Sequence, residues 1–105
     1  MPAQVSVLTI GAGSGSSGEN FTLVELAPGK KLTGTLGCEL LLRVGSATCS
    51  AASSPGLIDE TDGSVLENGG ALQKNHLYMM TIEDRAVVAG GSTVKLMVRG
   101  GYTIQ

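Results

Sequence analysis

The chain has 105 residues, 42 % of them hydrophobic and 15 % charged, with a formal net charge of −2. That length suits one domain with a core of its own, and the composition excludes disorder driven by charge and low hydrophobicity. The seven Lys and Arg are scattered, which excludes the concentrated basic surface that a nucleic-acid binder needs.

The aromatic residues are Phe21, Tyr78 and Tyr102, so the core must be built from Leu, Val, Ile, Met and Ala. Sixteen glycines supply the positive φ that tight turns require. The N-terminus lacks the basic and long apolar regions of a signal peptide. No stretch approaches the ~20 apolar residues of a membrane span. Synthesis in the cytoplasm without export by a standard signal is expected.

Gln4 to Ile10, QVSVLTI, is β-branched and nearly alternating, and reads as a strand. Gly11 to Gly18, GAGSGSSG, reads as a linker or long loop. It is an ordinary loop between two strands, a tether for an arm, or an artificial spacer. In the arm reading, residues 1–18 are a docking strand plus linker, with Val5, Val7, Leu8 and Ile10 meeting a partner's sheet. Residues 19–105 form a single β domain.

Phe21 to Leu26 is the next strand, and Pro28-Gly29 a strong turn. Lys30 to Thr33 is a short strand, and Gly34 and Gly37 bracket a turn. Cys38 to Val44, CELLLRV, is apolar enough to be a central strand covered on both faces. Gly45-Ser46 turns the chain and Ala47 to Ser50 returns. Short strands follow at Leu57–Glu60 and Ser64–Glu67, joined by Thr61-Asp62-Gly63. His76 to Ile82 is a second apolar strand. Arg85–Ala89, Thr93–Val98 and Tyr102–Ile104 complete the set, with no convincing helix. The expected fold is therefore all-β: a small β-sandwich or jelly-roll-like barrel of about ten short antiparallel strands. Leu26-x-x-Gly29-x-x-Leu32 recurs as Leu66-x-x-Gly69-x-x-Leu72, a pattern that two related halves would produce.

Cys38 and Cys49 are the two cysteines. With a turn at Gly45, Cys49 would sit opposite about residue 41, so a direct bridge to Cys38 is not expected and two buried free thiols are. One histidine, His76, and no C-x-x-C or H-x-x-x-H spacing argue against a metal site. Neither metal nor cofactor is expected. No nucleophile elbow accompanies His76, and no glycine-rich loop precedes a helix. Asp59, Glu60, Asp62, Glu83 and Asp84 sit beside turn residues and read as solvated carboxylates. Trp is absent, which leaves a sugar-stacking platform poorly supplied. No enzymatic activity is expected.

A jelly roll invites comparison with the cupin family, whose first motif is a glycine-led strand carrying two histidines and a glutamate. Pro28-Gly29 through Leu42 is similar and contains Glu39, but it holds no histidine. The segments LAPGKKLTG, ELLLRVGSAT and VRGGYTI, spread over Leu26 to Ile104, resemble small β modules of bacteriophage and prophage structural genes. That resemblance implies a non-enzymatic virion or appendage part, such as a capsid decoration, head-fibre or tail-accessory subunit. It implies a homo-oligomer, with a trimer as one form, that docks on a capsid or tail protein. The alternative is a binding module for a cell-surface glycan or peptide, using the loops Ala51–Gly56 or Gly90–Ser92.

Overall fold

The computed structural model describes residues 7–10, 13–16, 20–51, 56–83 and 85–105. They form twelve strands: β1 (Val7–Ile10), β2 (Gly13–Ser16), β3 (Thr22–Leu26), β4 (Lys31–Gly34), β5 (Glu39–Val44), β6 (Ala47–Ala51), β7 (Leu57–Asp59), β8 (Ser64–Leu66), β9 (Leu77–Met80), β10 (Arg85–Ala89), β11 (Val94–Arg99) and β12 (Gly101–Ile104). There is no helix among the described residues. The strands make a seven-stranded sheet, β1-β3-β11-β5-β9-β7-β8, and a five-stranded sheet, β2-β12-β4-β10-β6. All pairings are antiparallel except β1 with β3, which is parallel. The expected all-β sandwich is what the chain forms.

Alternation does the sorting. Along β3, Thr22, Val24 and Leu26 are buried, and along β11, Val94, Leu96 and Val98 are. Leu40 and Leu42 of β5, Leu57 of β7, and Tyr78 and Met80 of β9 add to that inner face. The smaller sheet adds Leu32, Ala47, Cys49, Val87, Ala89, Tyr102 and Ile104. All of these except Thr22 belong to one apolar cluster. Because side chains alternate with period two, each sheet commits one face to this core.

Three elements differ from the sequence reading. Gly13–Ser16, within the expected linker, is a strand that pairs with β12. Strand pairing uses backbone groups, and these are as available in Gly and Ser as in Val. Cys38–Val44 is not covered on both faces: Glu39 and Leu41 are half-buried, and Arg43 is exposed. Cys49 does not lie opposite residue 41, because β5 and β6 belong to different sheets and Cys49 pairs with Val87. Gly45-Ser46 is a corner between the sheets, not a hairpin. Both cysteines are nonetheless buried and free.

Most turns in fact pass the chain from one sheet to the other. The repeated motif is one device for doing so. Gly29 has φ 78° and Gly69 φ 84°, and each turn is closed by an amide–carbonyl bond, Lys30 to Ala27 (3.0 Å) and Gly70 to Glu67 (2.8 Å). Each leads from a strand of the larger sheet towards the smaller: into β4 in the first copy, and to Ala71, bridged to Thr48 of β6, in the second. The following leucines, Leu32 and Leu72, are both buried.

Candidate functional site

Of the residues singled out for docking, Val7, Leu8 and Ile10 lie in β1, beside Leu23, Val24 and Leu26 of the same chain. Val5 lies outside the described residues. Of the candidate loops, residues 52–55 also lie outside them, while Gly90, Gly91 and Ser92 are exposed.

The structure draws attention to a surface that sequence reading missed, the outer face of the larger sheet. Its central row is apolar across four strands: Leu23 of β3, Met97 of β11, Leu41 of β5 and Leu77 of β9 are cross-strand neighbours. The adjacent row runs Arg99, Glu39, Met79, Ile58 and Val65. Phe21, Leu23, Leu41, Arg43, Val44, Lys95 and Met97 line a groove of about 670 Å³. No third layer of described residues covers this face. An antiparallel sheet with one wet face usually shows polar residues there. Here the strand centres are apolar and the charges are displaced to the flanks. Four of those charges are paired, Lys95 with Glu25 at 3.7 Å and Arg99 with Glu39, and Arg43 is exposed beside them. The Arg99 guanidinium also lies 4.8 Å from the centre of the Phe21 ring.

A second cluster lies where β7, its turn and the start of β9 meet. Asp59 was expected to be a solvated turn carboxylate. Instead it is 2 % exposed, because it occupies the inward position at the end of β7. Its Oδ2 is 2.6 Å from His76 Nδ1, and its Oδ1 accepts the Thr61 amide at 2.9 Å. The tight turn brings Asp62 alongside, where its Oδ1 accepts both the amide and hydroxyl of Ser64. The Ser64 bonds hold the Asp62 carboxyl below the usual carboxylate range. The half-buried His76 stacks against Tyr78, ring centres 6.4 Å apart. A buried Asp orienting a His is two-thirds of a hydrolytic triad. Among the described residues, however, the ring bonds only to Asp59, so no nucleophile is engaged.

The buried thiols differ in their surroundings. Arg85 is 1 % exposed, and its Nη1 donates to Cys49 Sγ at 3.3 Å. Nothing in the sequence marks Arg85 as a core residue. Burial pushes the Cys38 thiol up from 9.0 to about 11, with the Glu39 carboxylate adding to the effect. Between those values the unfolded chain loses this proton and the folded chain keeps it. Stability is therefore full below about pH 9 and falls as the pH rises toward 11. Two units correspond to ~2–3 kcal/mol at most. Tyr78 and Tyr102 are also raised by burial and act in the same direction. Urea midpoints should fall steeply from about pH 9 to pH 10.5, and less steeply in Cys38→Ala. Equal slopes in the two proteins would refute the assignment to Cys38.

The fold and these surfaces define an all-β sandwich with an apolar outer sheet face and an acidic, histidine-containing corner. Comparison with protein-family models, with curated proteins and with solved structures finds no match to this chain.

Proposed function

We propose that this chain is a non-enzymatic structural subunit of a phage-like particle, a capsid decoration, head-fibre or tail-accessory protein, that works by self-association and docking. The observation that carries the reading is the outer face of the larger sheet, and its occupant is a second copy of the chain. Two arguments favour a like partner. The flanking charges are of both signs, Glu25 and Glu39 against Lys95, Arg99 and Arg43, so two such faces meet with only one cation on each unbalanced. The size also fits. Seven strands at ~4.8 Å spacing and up to six residues long span about 30 by 20 Å. With side-chain relief, that is on the scale of the ~800 Å² per partner of a stable interface. Methionines at 79 and 97 suit the role, since an unbranched thioether adapts to a facing surface.

Light scattering and native mass measurement test this. The wild-type mass is expected to be a multiple of 10.6 kDa. The double variant Leu41→Glu/Met97→Glu is expected to give monomers with an unchanged β-sheet circular dichroism spectrum. These positions are half-buried on the outer face, so the core is left intact. A wild-type chain that stays monomeric at about 1 mM would sink the proposal.

A further inference from the structure

We propose that Asp59, Asp62 and His76 form a binding site for a divalent first-row transition ion of the zinc class. One ligand atom from each of the three lies within 4.8 Å of the other two. Zinc holds imidazole nitrogen and carboxylate oxygen at ~2.0–2.2 Å, which places donors about 3.4 Å apart around a tetrahedron. In this cluster His76 Nδ1 and Asp59 Oδ2 are 2.6 Å apart and an Asp62 oxygen lies within 4.8 Å of a ligand atom of each, so small side-chain shifts would reach that spacing. Asp62 is the side chain that must move; it stands exposed on the turn, and the move gives up its bonds to the Ser64 amide and hydroxyl. A nitrogen with two carboxylates suits zinc and its neighbours better than calcium or magnesium, which take oxygen alone.

The positions of the donors are set by the fold. Asp59 is fixed by its burial and by the Thr61 amide. The turn is tied down by the Gly63 amide donating to the Asp59 carbonyl and the Glu60 amide to that of Leu77, both at 2.7 Å. This second bond anchors the turn to the strand that His76 precedes. The proton between His76 Nδ1 and Asp59 Oδ2 occupies the place the cation would take. Binding would use the neutral Nε2–H tautomer: Nδ1 loses its proton to water and Nε2 takes one from water, with no net release from a neutral ring. Water would fill the remaining coordination position.

A cation held by Asp59, Asp62 and His76 would rivet the β7–β8 turn to the start of β9.

The test is titration of the full chain with zinc chloride by calorimetry, paired with thermal melts. Wild-type protein is expected to bind one zinc per chain and to melt higher with zinc present. Asp62→Asn, an exposed change that should leave the fold intact, is expected to weaken binding at least about tenfold. His76→Ala should lose binding altogether, and neither variant should show the zinc-dependent melting shift. Cys38→Ser/Cys49→Ser should bind as wild type does, which separates this site from the thiols. Calcium at about 1 mM should not displace zinc. Absence of zinc binding by the wild type at about 1 mM, wild-type affinity in Asp62→Asn, or loss of binding only in the cysteine variant would each overturn the assignment.

Discussion

Arg85→Ala is expected to lower the free energy of unfolding by roughly 3–5 kcal/mol, read as a fall in the urea midpoint at pH 7. Arg85 is the largest fully buried side chain, and two separate losses combine. Truncation opens a cavity, since the stem packs tightly: a Cβ placed on Gly56 would come within 2.6 Å of Arg85 Cγ. Truncation also removes the guanidinium that donates to Cys49 Sγ. Arg85→Met separates the two terms. It keeps most of the volume and discards the charge, and replacing a buried ion by an apolar isostere is often nearly neutral. If packing dominates, Arg85→Met recovers most of the loss. If the charged hydrogen bonds dominate, it recovers little, and a double-mutant cycle with Cys49→Ala shows a coupling of about 0.5 kcal/mol or more. A midpoint for Arg85→Ala equal to that of wild type would mean the guanidinium is not in the core.

Gly45→Ala is expected to cost about 3 kcal/mol, again by urea unfolding, and more than Gly29→Ala. Both glycines have positive φ, 95° at Gly45 and 78° at Gly29, so both substitutions carry left-handed strain of ~1–2 kcal/mol. They differ in their space. A Cβ at Gly29 meets nothing within 4 Å, whereas one at Gly45 would lie 2.7 Å from the Thr93 carbonyl oxygen and 3.1 Å from Val94 Cα. Those are backbone atoms at the entry to β11, and β11 is held on both sides by β3 and β5. It cannot retreat without loosening two ladders. Equal losses at the two positions would show that the corner accommodates the methyl group.

These two residues also mark where sequence reading succeeded and where it stopped. Gly45 is legible as a turn, because glycine between apolar strands has few other uses. What the turn joins is not legible. A hairpin and a sheet-to-sheet corner need the same local chemistry, and only long-range pairing chooses between them. That choice moved Cys49 from beside residue 41 to beside Val87. The strands themselves were nearly all readable from alternation and β-branched residues. Gly13–Ser16 was not, since it carries no side-chain signal at all. ELLLRV was read as covered on both faces because three leucines in a row erase the alternation that distinguishes inside from outside. The same erasure hid the apolar outer face. The acidic corner escaped for a different reason. Asp59, Asp62 and His76 are brought together by the pairing of β7 with β9, and a spacing of three and then fourteen residues matches no local metal motif. Arg85 was hidden by its own chemistry, since a lone arginine at a strand start reads as solvent-facing.

The order of strands carries a consequence for how the molecule is made. β11 and β12, the last strands in the chain, are interior strands: β11 lies between β3 and β5, and β12 between β2 and β4. Neither sheet can close around its core until residues 94–104 have left the ribosome. Until then β3 and β5 each lack a neighbour on one side, and their apolar faces wait in solution during synthesis at ~5–20 residues per second. Assembly of the native fold thus waits on residues 94–104, and it is governed by the closure of long loops and slow on that account. A chain stalled or clipped before Val94 would be a sticky fragment with open strand edges, not a smaller version of the domain.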